Sequence, residues 1–176
     1  MTTSFSLRTL SRDDILHHLP ALSEILASCV NGGASVSFML PFAPQTAITF
    51  WQRTADSVAA GGRIVLAAFD AEERPVGTVQ LITSQPENQP HRADVAKLLV
   101  HQNVRRQGIA QALMSELERI ARRERKTVLV LDTATGSGAE QFYARCGWEK
   151  VGEIPRYALM PDGEMTATSL FYKFLP

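Results

Sequence analysis

The chain has 176 residues, 45% of them hydrophobic, with 18 basic and 18 acidic residues that cancel to no net charge. That length suits one domain spanning residues 1–176, with a single substantial core and no room for two ordinary ones. Without net charge there is no overall field to draw nucleic acid or an anionic membrane, and no apolar run approaches the roughly 18 residues that span a bilayer. The two cysteines, Cys29 and Cys146, lack metal-ligand spacing and fit reduced thiols, so no metal is expected. The N-terminal residues already carry Arg8, Arg12, Asp13 and Asp14, unlike the charged-then-apolar order of a signal peptide, and a cytoplasmic location is expected.

Phe5 to Leu10 alternates like a first strand. Ser11, with Asp14 three residues on, resembles a helix-entry cap before Ile15, Leu16, Leu19, Leu22, Ile25 and Leu26. Pro20 within that run is a candidate start for the main helix. Asn31 to Ser35 breaks the pattern, and a further helix is expected from Thr46 through Ile48, Trp51, Ala55 and Val58 to the Gly61-Gly62 stop. Arg63 to Phe69 and Pro75 to Thr83 read as strands joined by the turn Asp70 to Arg74, and a third strand ends at Val100 after the turn Ser84 to Pro90. An amphipathic helix comes next, with Ile109, Ala110, Leu113, Met114, Leu117, Ile120 and Ala121 at the spacing of one buried face. Then come the strand Val128 to Asp132, the helix Ala139 to Arg145, and closing strands near Trp148 to Glu153 and Thr166 to Phe174. This order, β-α-α-β-β-β-α-β-α-β-β, is an α/β arrangement of about seven strands in a mixed sheet covered by about four helices.

The segment Arg105-Arg106-Gln107-Gly108-Ile109-Ala110 joins the strand ending at Val100 to the amphipathic helix. A helix start carries partial positive charge on its free N–H groups, so paired arginines there point to an anion held between them, read here as a pyrophosphate. Gly108 costs helix stability and lets a ligand approach the backbone closely. A Walker A loop is excluded because no Lys-Ser or Lys-Thr comes after the glycine, and a dinucleotide fingerprint because the second and third glycines are missing. What remains is R-x-x-G-x-A at a strand-loop-helix junction.

With Phe142-Tyr143-Ala144-Arg145-Cys146-Gly147-Trp148 further on, this junction resembles the GCN5-related N-acetyltransferase (GNAT) superfamily. Arg105, Gly108 and Ala110 fill the Q/R-x-x-G-x-G/A acetyl-CoA signature, and the later segment matches F-Y-x-x-x-G-[FW]. The resemblance implies a central mixed, mostly antiparallel sheet and acetyl-CoA as acetyl donor. It also implies a donor site formed by Leu98, Leu99 and Val100, by Arg105, Arg106, Gln107, Gly108, Ile109, Ala110 and Gln111, and by Tyr143. In that family a backbone N–H of the fourth strand polarises the thioester carbonyl, which maps to Leu98 to Val100, and Tyr143 is the proton donor to the coenzyme A sulfur.

For the base, ligands of open α/β sheets collect outside the carboxyl ends of the strands, and Asp132 stands at such an end. Asp94 lies within Arg92 to Lys97 and is either a second candidate or half of a salt bridge to Arg92 or to a cation on a neighbouring strand. A water relay is a further alternative, with Glu140 as a spare carboxylate. The four histidines have no partner spacing, and the cations from Arg119 to Lys126 suit a helix C-terminus, so neither set is given a function.

Further segments resemble the tabtoxin-resistance acetyltransferase group: Gly32 to Met39, Arg92 to Val95 with Lys97-Leu98, Leu131 to Thr133, Gly136-Ser137, Val151 to Pro155 and Pro161 to Gly163. That group is associated with acetylating tabtoxinine-β-lactam, an amino-acid-like toxin. Asp94 stands where a glutamate is expected in it, and Ala110 where a glycine is. The resemblance places the acceptor wall at Asn31 to Met39, making Gly33, Ser35 and Phe38, with Asp94 and Asp132, the candidate acceptor-binding residues. The expected activity is direct acetyl transfer in a ternary complex to a small amine, with a homodimer as the expected assembly. The alternatives are a protein N-terminus or lysine as acceptor, and a non-catalytic acyl-CoA-binding sensor.

Overall fold

The computed structural model describes residues 4–176. Strand β1 (Ser6–Leu10) leads into α1 (Arg12–His17), α2 (Leu19–Asn31) and α3 (Pro44–Ala59), followed by β2 (Arg63–Phe69), β3 (Pro75–Ile82) and β4 (Arg92–Val100). A short 3₁₀ turn (Gln102–Val104), α4 (Ile109–Arg123), β5 (Val128–Ala134), α5 (Ala139–Arg145), β6 (Glu149–Leu159) and β7 (Met165–Phe174) complete the described residues. Five α-helices appear where the periodicity predicts four. The first run splits at His18, whose φ of −99° and ψ of 18° leave helical geometry, and Pro20 sits in the first turn of α2, where a missing N–H costs nothing. The Ser11 cap forms as expected, its hydroxyl accepting from the Asp14 N–H while the Asp14 carboxylate accepts from the Ser11 N–H.

The seven strands form one sheet in the order β1-β2-β3-β4-β5-β7-β6, antiparallel except between β4 and β5. On one face α4, α5 and the turn after α5 bury Ile109, Leu113, Leu117, Ile120, Tyr143 and Trp148 against Val79, Val95, Leu129 and Phe171. On the other, α1 to α3 bury Ile15, Leu22, Leu26 and Trp51 against Val65, Ala67 and Leu99. Trp51 ties α3 to α2, its indole N–H donating to the Leu22 carbonyl at 3.0 Å from a fully buried position. No described helix is long and apolar enough to cross a membrane.

Two irregularities shape the middle of the sheet. Strands β4 and β5 pair over only three rungs, Arg92 with Val128, Ala93 with Leu129 and Asp94 with Val130, and then part. Beyond that point the facing backbone groups lack a sheet partner, which makes the fork a place where a polar, extended ligand can complete the ladder. Second, β4 carries a bulge against β3: Ala96 pairs with Gln80 and Leu99 with Thr78, so Lys97 and Leu98 together oppose Val79. The extra residue reverses the facing of the rest of the strand. Val95 packs with the α4 side, whereas Leu99, four residues on, packs with the α1 to α3 side. Lys97 absorbs the turn with a φ of 55°.

Candidate active site

At the donor end, α4 opens on Gly108, which holds a left-handed φ of 78° and provides no side-chain cap. A Cβ there would meet nothing within 4 Å, so the space above the helix start is open. The first intrahelical bond runs from the Ala112 N–H to the Gly108 carbonyl at 3.0 Å, leaving the N–H groups of Ile109, Ala110 and Gln111 unpaired within the helix. Arg106 also has positive φ, 64°, and both Arg105 and Arg106 are exposed. Neither is in an ion pair with a described carboxylate. Free donors, two uncommitted cations and open space together fit a diphosphate.

From there a cleft of about 840 Å³ runs through the fork to the far side of the sheet. Arg105, Ala110 and Leu98 line its donor end, Asp132, Phe142 and Tyr143 its middle, and Gly33, Ser35, Ser37 and Met39 its far end with Tyr157 to Met160 of β6. Ile109 and Leu99 point into the two cores, so these positions offer backbone only. Tyr143 is 8% exposed and packs edge-on near Phe142 and Trp148, at centroid separations of 5.2 and 6.1 Å. Burial above all, then the nearby Cys146 and Asp132, pushes its phenol up to about 12, so the hydroxyl keeps its proton at neutral pH. Asp132 is exposed to the cleft, with Oδ2 accepting from the Thr168 hydroxyl at 2.6 Å.

Asp94 does not join them. It lies on the last paired rung of the fork, its Oδ1 accepts from Arg92 at 2.5 Å and its Oδ2 from Gln85 at 3.0 Å, and it is not among the residues lining the cleft. The salt-bridge alternative for Asp94 describes this geometry, because the strands part just beyond it and leave its carboxylate beside Arg92. Phe38 is also displaced: it stacks near Phe42 and Phe50 and lines an adjoining hollow of about 450 Å³ with Arg53 and Arg63.

Three cleft features escape sequence reasoning. Lys97 lines the cleft, its Nζ donating to Ser37 Oγ at 3.2 Å, and burial combined with the nearby Arg63 lowers its ammonium pKa against the opposing effect of Asp132. Tyr157 lines it because β6 runs on to Leu159, past the expected end at Glu153, and bulges between Ile154 and Ala158. A backbone bond from Leu40 N–H to the Pro161 carbonyl, 2.9 Å, ties the α2–α3 segment to the β6–β7 turn. An unpaired lysine late in an apolar strand was the one available signal; the bulges depend on cross-strand register.

Several solved structures share the fold. The chain is similar to yncA of Salmonella typhimurium, solved with its cofactor acetyl-CoA, at 16% identity and TM-score 0.78, covering 99% of this chain and 95% of that one. It is similar to a ribosomal-protein-alanine N-acetyltransferase of Brucella melitensis at 24% identity and TM-score 0.76, covering 97% and 99%. An N-acetyltransferase of Staphylococcus aureus Mu50 aligns at 13% identity and TM-score 0.79, covering 99% and 100%. The profile of the acetyltransferase (GNAT) family matches residues 24–148, from α2 through the donor junction to Trp148, and the chain belongs to that family of acyltransferases.

Proposed function

We propose that the protein transfers the acetyl group of acetyl-CoA directly to the amine of a small amino-acid-like molecule, both substrates being bound at once. The observation that carries this reading is the single cleft: the uncapped start of α4, the β4–β5 fork, Tyr143, Asp132 and the pocket beneath Ser37 and Tyr157 are parts of one continuous space. Bound acetyl-CoA supplies an acetyl group activated as a thioester. The N–H groups of Ile109 to Gln111, with Arg105 and Arg106, hold its diphosphate. The edge of β4 from Leu98 to Val100 that has parted from β5 would receive the extended arm and offer an N–H to the thioester carbonyl.

Asp132, held by Thr168, takes the proton that an acceptor ammonium must lose before it can attack. Tyr143 holds a proton ready for the departing thiolate. Met39 and Tyr157 line the far end and give it an apolar border. The Leu40 to Pro161 bond bridges that end, which favours a compact acceptor over a polypeptide lying across the cleft. The resemblance of Gly32 to Met39 and neighbouring segments to the tabtoxin-resistance group supports the same class and makes a tabtoxinine-type β-lactam the first candidate to assay.

The test is release of free thiol from acetyl-CoA over a panel of amines, amino acids and short peptides. Accelerated release with small amino-acid-like acceptors is the expected result. Acceleration only with peptides would replace the acceptor class, and binding of acetyl-CoA without acceleration by any acceptor would replace the enzyme with a sensor.

A further inference from the structure

Most partly buried cations in this protein are committed. Arg92 pairs with Asp94, Lys173 with Glu118, and Lys126 donates to the Pro90 carbonyl. Arg63 on β2 and Lys97 on β4 differ: both are withdrawn from solvent, and neither is in an ion pair with a described carboxylate. Arg63 donates only to neutral groups, Nε to Ser57 Oγ at 2.9 Å and Nη1 to Gln80 Oε1 at 2.7 Å. Lys97 likewise meets a neutral partner, Ser37, and its Nζ stands 6.0 Å from the centre of the Phe50 ring. An ammonium has three donors and a guanidinium five, so both groups have hydrogen-bonding capacity left over.

Gln80 lies between them on β3, the strand that separates β2 from β4. It is fully buried, and its Oε1 must face the Arg63 donor, which fixes the amide's orientation. Its Nε2 then has no partner. A buried amide donor without an acceptor is costly, and so are two partly buried like charges near one another. The two cations lack a partner bearing negative charge, and Gln80 is committed to holding the Arg63 guanidinium from beneath. On the side of the sheet covered by α1 to α3, Lys97 lines the cleft beside Ser37 and Arg63 lines the neighbouring hollow at Phe38 and Phe50, away from the α4 start that suits the donor's phosphates.

We propose that Lys97 and Arg63, the latter held by the Gln80 amide on the intervening strand, form a subsite for a carboxylate carried by the acceptor. The proposal rests on the acetyl-transfer reading for its purpose. Asp132, across the cleft, receives the ammonium end, so an amino acid is oriented by its two charges: carboxylate toward Lys97 and Arg63, amine toward Asp132 and the thioester. An amine with no anionic group leaves the two cations unmatched, which makes the pair a specificity device as well as an anchor. Lys97 and Arg63 are positioning residues in this arrangement.

The experiment is calorimetric titration of the CoA-loaded protein with N-acetyl derivatives of the common amino acids and, for each, the corresponding carboxamide. At least one carboxylate is expected to bind about tenfold more tightly than its amide, the worth of one charge-assisted hydrogen bond. Lys97→Met is expected to bring that ratio close to one, and Lys97→Arg to keep most of it, so the wild-type ratio and the arginine variant decide the matter even if the methionine variant folds poorly. Equal binding of carboxylates and amides throughout overturns the subsite, whatever thiol release shows. A carboxylate preference that Lys97→Met abolishes, in a protein that releases no thiol with any amine, sustains the subsite and overturns acetyl transfer instead.

Discussion

The two ends of the cleft are built from different materials. The donor end consists mostly of backbone: the free N–H groups at the start of α4, the left-handed turn at Gly108 and the unpaired edge where β4 leaves β5. The acceptor end consists of side chains on irregular segments, Ser37 and Met39 from the α2–α3 connection, Lys97 from a bulge and Tyr157 from another. A backbone site depends on a few residues that permit its geometry, and so it leaves a compact motif. A side-chain site depends on which strands and loops meet, and it varies without disturbing the sheet.

If the ends are separable, damage to one should spare the other. The largest effect is expected from Trp51→Ala, which removes the fully buried contact between α2 and α3 beneath the acceptor segment. Loss of about 3–5 kcal/mol in urea unfolding is predicted, with acetyl-CoA affinity of the folded fraction unchanged. A parallel fall in donor affinity would show that the ends are coupled through the sheet.

Tyr143→Phe comes next and probes where the ends meet. Turnover is expected to drop about a hundredfold, in the range for loss of a general acid, while acetyl-CoA affinity stays within about twofold. Unchanged turnover would remove Tyr143 from the chemistry. The same phenol has a pH signature. Its folded value of about 12 lies above the unfolded value of 10.0, so no stability difference arises below pH 10. As pH rises from 10 toward 12 the unfolded chain loses its proton first, and wild type is destabilised by up to about 2–3 kcal/mol. Unfolding measured across that interval should therefore show a steeper alkaline loss in wild type than in Tyr143→Phe.

The smallest effect tests the donor end. Gly108→Val forces a β-branched residue into a left-handed conformation, at a cost of about 1–2 kcal/mol or somewhat more, and fills the space above the α4 donors. Acetyl-CoA affinity is expected to fall about tenfold with the acceptor KM unchanged. A change in acceptor KM alone would reverse the assignment of ends.

These contrasts explain what could be read from residues alone. The buried face of α4 is visible because Ile109, Leu113, Leu117 and Ile120 recur at the helical period. The β2–β3 turn is visible because Asp70 has the side chain to accept the N–H groups of Glu72 and Arg74. The donor junction is visible because Gly108 meets a local backbone requirement that glycine satisfies without strain. Asp94 and Asp132, in contrast, look alike as strand carboxylates; only the point at which β4 and β5 part separates one beside Arg92 from one facing the cleft. Lys97 was hidden for the same reason, since a bulge is a relation between strands and Val79 on β3 has no chemical mark that announces it. His18 breaks the first helix without glycine or proline at the break itself, and Pro20, in the first turn of α2, is the local mark of that split.

The most direct test of the central claim is a crystal structure of the protein with acetyl-CoA bound. The diphosphate is predicted to lie on the N–H groups of Ile109 to Gln111, the arm within the β4–β5 fork, and the Tyr143 hydroxyl facing the sulfur, with the pocket beneath Ser37 and Lys97 left open to an acceptor. Acetyl-CoA lying outside the fork, or a thioester remote from both Tyr143 and Asp132, would contradict that claim.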